Sequence, residues 1–309
     1  MSDANGAGDG GETGPRGEIP RADGNPANGT PGAANGKPGK AADLRVRLVS
    51  AMVLAPVILL IVWLGGWVFA ALIAATAAIL VSEWSGISRR TYWDAPVVIG
   101  ALIAALSIFI WAAGYPRVAI GAPFIGAGVV FALASGDNFD RLLGLGVLYG
   151  ALPGLALVVL RSDTAFGLAA ILWLVLIVWA TDIGGYAFGR FLGGPKLMPR
   201  VSPKKTWSGC LGGILLAVVA TLLFNIAGGA AGAAPVWLAV VLSLVSQAGD
   251  LAESAFKRRF GAKDSSRLIP GHGGLMDRID GLIAAAAVAA VIGIVRAGPD
   301  AAGTGLLLW

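Results

Sequence analysis

Apolar and polar positions along the 309-residue chain fall into blocks and do not alternate. After Arg47, long runs of Ala, Leu, Val, Ile and Gly are separated by short polar breaks. A helix needs about 20 apolar residues to cross the hydrocarbon core of a bilayer. Nine runs approach that length, near 48–65, 67–83, 96–113, 117–135, 142–160, 167–187, 208–228, 236–257 and 280–296. Only Gly65 and Gly66 separate the first two, which predicts a tight turn. The fourth holds Pro123 and several glycines, so its helical signal is the weakest.

Composition points the same way. Hydrophobic residues make up 56% of the chain and charged residues 13%, with a mean hydropathy of +0.77. A soluble domain usually carries about 25% charged residues. The expectation is an all-α, polytopic membrane protein. Residues 1–43 are rich in Gly, Pro, Asn, Ala and Asp. They cannot bury enough apolar surface to offset chain entropy, so a disordered cytoplasmic tail is expected, followed by one membrane domain over 44–309. No apolar segment follows the first Met, so no cleavable signal peptide is expected and the first span acts as an anchor. Cys210 is the single cysteine, which excludes an internal disulfide.

The cations test the count of spans. With the N-terminus inside, only Arg117, Arg161 and Arg296 of the 23 Lys and Arg residues fall outside. This bias supports nine spans with a cytoplasmic N-terminus. The net charge of +5 suits anionic headgroups or substrates, although positive-inside bias accounts for most of it. Glycines 146, 150 and 154, and Gly209 with Gly213, form ridges that let helices pack closely. They serve packing within one chain or in a homodimer equally well. No phosphate-loop pattern occurs, so a nucleotide site of that kind is excluded.

Polar chemistry gathers in three places on the inner face. Asp182, in ATDIGGYAFG, follows a strongly apolar run, and a carboxylate at that depth is a functional candidate. It could also cap a turn or pair with Arg190. In RVSPKKTWSG, Ser202, Lys204, Lys205 and Thr206 offer hydroxyl and ammonium donors suited to phosphate oxygens. A basic loop that holds topology would look the same. The third stretch runs from Ser246 to Asp280. Ser246, Asp250, Glu253, Ser254 and Lys257 share one helix face by spacing, and Asp277 and Asp280 open the last span. Between them lie Lys257, Arg258, Arg259, Lys263, Arg267 and the segment PGHGG, with His272. Two carboxylate pairs beside cations and glycine amides suit Mg²⁺ completed by substrate phosphates, hence phosphoryl or nucleotidyl transfer. Salt bridges within the loop are the plainer alternative.

The third stretch also resembles a known signature. Ser254-Ala-Phe-Lys-Arg, then Lys263-Asp-Ser-Ser, then Ile269-Pro-Gly-His-Gly-Gly-Leu-Met-Asp-Arg-Ile-Asp280 is similar to the C-terminal motif of the phosphatidate cytidylyltransferases. SPKKTWSG and TDIGGYAFGR look like that family too, so the likeness is specific over about 180–280. It implies that CTP and phosphatidate, the latter from the bilayer, yield CDP-diacylglycerol and pyrophosphate at the cytoplasmic side of a cell membrane. It implies Mg²⁺ and a second metal ion between Asp250 and Asp277, with phosphate binding by Ser202, Lys204, Lys205 and Thr206. Asp250, Asp277, Lys204 and Lys205 are the expected catalytic residues. Glu253 and Asp280 are the further metal ligands expected. Lys257, Arg258, Lys263, His272, Arg278 and Asp182 are expected to contact substrate. No nucleic acid is expected as a partner. The rivals are a CTP-using lipid kinase, which would release CDP, and a transporter with acidic residues along its path.

Overall fold

The computed structural model describes Met52 and residues 54–133, 138–228, 234–266, 268 and 273–309. The expected tail, the start of the first span, Arg267 and His272 lie outside these. Among the described residues, ten α-helices and one hairpin follow in order. They are α1 (Leu54–Leu64), α2 (Gly66–Ser88), α3 (Ala95–Ala112), α4 (Pro116–Leu133), α5 (Asn138–Ser162) and α6 (Gly167–Phe191). Strands β1 (Lys196–Met198) and β2 (Ser202–Thr206) precede α7 (Trp207–Ile226), α8 (Val236–Arg259), α9 (Met276–Ala297) and α10 (Ala302–Leu307). Among the described residues, eight helices, α2 to α9, are long and apolar enough to cross a membrane. The described part of the first expected span is the eleven-residue α1.

The predicted breaks are where the helices end, for identifiable reasons. Gly65 and Gly66 both have positive φ, 66° and 54°, which allows α1 to turn directly into α2. Arg161 from the end of α5 then donates to the Val62 and Trp63 carbonyls at 2.7 and 2.8 Å, satisfying acceptors at the end of α1. Asp94 starts α3 by accepting from the Val97 N–H at 3.0 Å, with Pro96 in the first turn. Pro123 is accommodated inside a continuous α4.

The core is built by α2, α3, α5, α6 and α9, with Ile108, Leu143, Leu160, Trp173 and Leu174 fully buried. Large apolar side chains such as Leu102, Leu106, Phe124 and Val291 face outward, as lipid-exposed helix surfaces require. The glycine ridge of α5 packs on α2: a Cβ on Gly150 would lie 2.7 Å from the Ala77 carbonyl.

Two features add to the all-α expectation. The SPKKT segment is a strand, paired antiparallel with β1 in the register Lys196↔Thr206 and Met198↔Ser202. Pro203 is tolerated because a two-stranded ribbon has only edge strands. At the far end, α10 folds back on α9, and Arg296 lies 3.6 Å from the Trp309 ring and donates to the Leu308 carbonyl at 2.7 Å. Asp163 ties this end to the α5–α6 turn by accepting from Thr304 N–H at 2.6 Å and Ala165 N–H at 2.8 Å.

Candidate active site

The site is shaped by the contact between α6 and α7. A Cβ on Gly184 would strike the Gly212 carbonyl, and one on Gly213 would lie 2.8 Å from the Thr181 carbonyl. Only glycine permits backbones this close. Thr206 ends β2 and starts α7, its Oγ1 accepting from the Gly209 N–H at 3.1 Å. This cap holds the hairpin against the two helices.

Beside that seam lies a polar cavity of about 210 Å³. α6 contributes Asp182 and Tyr186, β2 contributes Lys204 and Lys205, α7 contributes Cys210, and α8 contributes Gln247 and Asp250. Lys205 Nζ lies 2.5 Å from Asp250 Oδ2. The other oxygen of Asp250 accepts from Ser254 Oγ at 3.4 Å.

A second acidic group forms where α8 meets α9. Lys257 Nζ stands 2.8 Å from Glu253 Oε1 and 2.6 Å from Asp277 Oδ1, with only 11% of its side chain exposed. Asp277 Oδ2 accepts from the Ser265 N–H at 3.0 Å, Ser265 Oγ at 3.1 Å and the Gly274 N–H at 3.0 Å. Glu253 differs. Its oxygens are buried, with the Lys257 ammonium 2.8 Å from Oε1. Glu253 and Asp280 border a second, apolar cavity of about 360 Å³, walled by Trp84, Tyr149, Phe256, Met276, Ile283 and Ala287.

Spacing had placed Asp250 and Glu253 on one face of α8. The rotation of about 60° between positions three apart is enough to send them to different cavities. The structure gathers Asp182, Lys204, Lys205 and Asp250 in the polar cavity. It gathers Lys257, Glu253 and Asp277 at the α8–α9 junction. It brings Ser202, Arg258, Lys263 and Arg278 into neither cavity. Arg258 instead reaches the Val201 and Ala262 carbonyls at 3.5 and 3.4 Å. Thr206 lines the polar cavity while its hydroxyl caps α7.

A family model described as the cytidylyltransferase family matches residues 45–295. The chain belongs to the cytidylyltransferase family. It is 43% identical over 263 residues to the phosphatidate cytidylyltransferases of Brucella suis biovar 1 and Brucella melitensis biotype 1, covering 84% of this chain and 96% of each relative. A phosphatidate cytidylyltransferase of Staphylococcus saprophyticus is 43% identical over 140 residues, 42% of this chain and 51% of that one.

A cytidylyltransferase joins two anions, and the acids here fit a hard divalent ion in one respect. They offer hard carboxylate oxygens, and the ammonium groups paired with Asp250 and Asp277 occupy positions that a bound cation would have to take over. Among the described residues, no three acidic side chains converge on one metal position. A Mg²⁺ ion bound here would rely on water and phosphate oxygens for most of its coordination.

Several residues of the site were not singled out from the sequence. Gln247 and Tyr186 line the polar cavity, and Cys210, noted only for disulfides, lines it too. Glu83 on α2 is the larger omission. It is 2% exposed and hydrogen-bonds to the signature segment. The signal that would have found it is the one used for Asp182, a lone carboxylate at the end of an apolar run.

Proposed function

We propose that this chain transfers the cytidylyl group of CTP to phosphatidate, giving CDP-diacylglycerol and pyrophosphate. One observation carries the reading: a cavity lined by Lys204, Lys205, Asp182 and Asp250 lies across α8 from an apolar cavity inside the membrane-spanning bundle. The first suits a triphosphate and the second an acyl chain, so headgroup chemistry and lipid solubility are served side by side.

A phosphate oxygen of phosphatidate attacks the α-phosphorus of CTP. A P–O bond forms there as the bond from the α-phosphorus to the oxygen bridging the α and β phosphates breaks, and that oxygen leaves with the pyrophosphate. The attacking monoester is already largely ionised near neutral pH, so no side chain need remove a proton. Lys204 and Lys205 hold phosphate oxygens as point charges and offset the repulsion between two anions. Asp250 and Asp277 would hold Mg²⁺, which when bound would supply positive charge to offset that of the phosphates. Lys257 keeps Asp277 oriented, and Asp182 and Gln247 border the nucleotide. The cavity faces the cytoplasm in this reading, which rests on the distribution of Lys and Arg.

The test uses purified protein in mild detergent with phosphatidate, Mg²⁺ and CTP labelled at the α-phosphate. Label in the lipid phase with pyrophosphate released is the expected result. Label reaching lipid only from the γ-phosphate, with CDP released, would make the chain a lipid kinase and overturn the reading.

A further inference from the structure

Glu83 is the one acid among the described residues that ties α2 to the signature segment, about 180 positions away in the sequence. Its two oxygens divide four donors between them. Oε1 accepts from Ser266 Oγ at 2.6 Å and from the Leu275 N–H at 2.9 Å. Oε2 accepts from Ser265 Oγ at 3.1 Å and from the Met276 N–H at 2.6 Å. Ser265 and Ser266 stand at one end of the segment, and Leu275 and Met276 stand where α9 begins. A single carboxylate therefore holds both ends.

The placement is chemically apt. The first N–H groups of a helix have no partner within it, and a negative charge there is favoured by the helix dipole. α9 supplies no cap from its own N-cap residue, Leu275, and takes Glu83 from another helix in that role. A buried carboxylate is costly unless its oxygens are hydrogen-bonded, and three donors with the shared Ser265 hydroxyl meet that condition. Tyr92, in the turn after α2, adds a bond from its hydroxyl to the Ser265 carbonyl at 3.2 Å.

Ser265 links this anchor to the acid pair. Its hydroxyl lies 3.1 Å from both Glu83 Oε2 and Asp277 Oδ2, yet it has one proton to donate. Its N–H goes to Asp277 Oδ2 at 3.0 Å. Moving Glu83 therefore moves Ser265, and with it the group that orients Asp277.

We propose that Glu83 is a positioning residue for cytidylyl transfer, fixing Asp277 through Ser265 and the first turn of α9. The proposal rests on the reading of Asp277 given above. Glu83→Gln is isosteric but turns one oxygen into an amide donor that faces donors, so half of the anchor is lost. Glu83→Asp keeps both acceptors on a shorter arm.

The experiment measures kcat, the KM for CTP and for phosphatidate, the Mg²⁺ half-saturation and thermal unfolding of the full chain in detergent. Hydrogen exchange at Leu275 and Met276 is followed in parallel. For folded Glu83→Gln, kcat is expected to fall about 100-fold, the loss typical of a reacting group displaced by an ångström. Mg²⁺ half-saturation should rise several-fold, both KM values should stay within about threefold, and the two amides should exchange faster. Glu83→Asp should recover part of kcat. If Glu83→Gln does not fold, Ser265→Ala removes the linking hydroxyl, keeps the backbone donors, and should raise the Mg²⁺ half-saturation of the protein that remains folded.

Wild-type protein that forms no CDP-lipid, or Asp277→Asn with full activity, would overturn the functional reading and this proposal with it. Inactive Asp277→Asn alongside folded Glu83→Gln of wild-type kcat would overturn this proposal alone. Activity that falls only in proportion to folded protein, with Mg²⁺ half-saturation unmoved, would reduce Glu83 to a structural role and also overturn it.

Discussion

Lys205 and Asp250 meet at 2.5 Å across the mouth of the polar cavity, one from strand β2 and the other from helix α8. Neither residue is fully buried, with about 30% of each side chain exposed (27% and 31%). The pair is therefore open to exchange: an arriving phosphate can take the ammonium and a cation the carboxylate. Its energy in the resting protein is small, since solvent screens partly exposed ion pairs.

Removing Lys205 should consequently cost activity more than stability. Lys205→Ala is expected to lower kcat for CDP-lipid formation by about 10²–10³-fold, the effect of losing one donor to developing phosphate charge. The unfolding temperature should change little. Lys205→Arg should restore only part of kcat, because a planar fork does not replace a compact ammonium. Steady-state kinetics beside a melting curve checks both.

Cys210 makes occupancy of the polar cavity measurable, because the only cysteine of the chain lines it. CTP with Mg²⁺ should slow its labelling by a small maleimide, whereas phosphatidate in detergent should slow it less. A labelling rate indifferent to CTP would place the nucleotide elsewhere.

The apolar cavity predicts a change in lipid preference. Ala287→Phe would fill part of its roughly 360 Å³, where Trp84, Tyr149 and Phe256 form the opposing wall. Long-chain phosphatidate should lose kcat/KM by about tenfold, the discrimination expected of one or two methylenes' worth of space. Short-chain phosphatidate and CTP should be handled as before. Equal loss for all chain lengths would remove the acyl chain from this cavity.

Asp94 gives a pH-dependent prediction outside the membrane spans. Burial alone would raise its carboxyl, but Arg89 at 2.7 Å and the Val97 N–H hold it below the usual carboxylate value. A depressed folded-state value means the stabilisation is complete above the unfolded pKa, about 4, and is lost as pH falls through the lower folded value. Asp94→Ala should lower stability by about 1 kcal/mol near neutral pH through loss of the α3 cap. The gap from wild type should close in acid. Melting temperatures measured from pH 7 down to pH 3 would show a constant gap if the carboxylate were irrelevant.

Much of this architecture is legible in the sequence because hydrocarbon imposes one rule, that a crossing segment must be a long apolar helix. Spans α2 to α8 begin and end close to where hydropathy changes, and the Gly65–Gly66 turn is read directly. α9 begins at Met276, four residues before the apolar run, because its polar first turn is held by Glu83 from another helix. That contact leaves no periodic trace. The β1–β2 hairpin is hidden for a similar reason: pairing of Lys196 with Thr206 depends on partners across a turn, and its strands are too short to show alternation. For the site, residue types and clustering identify the lysines and acids that the structure gathers. They do not say that Asp250 and Glu253 serve different cavities, since that depends on which neighbours pack beside α8.

The glycine seam between α6 and α7 also constrains how this protein can change. Gly184, Gly212 and Gly213 already carry the smallest side chain that exists, and their backbones touch. Substitution there is a one-way ratchet: each replacement adds volume and parts the helices, and none can bring them closer. The seam beside the polar cavity thus stands at its minimum width. A descendant enzyme adapting to a slimmer nucleotide would have to do so through residues that line the cavity itself, such as Tyr186, Lys204 or Cys210.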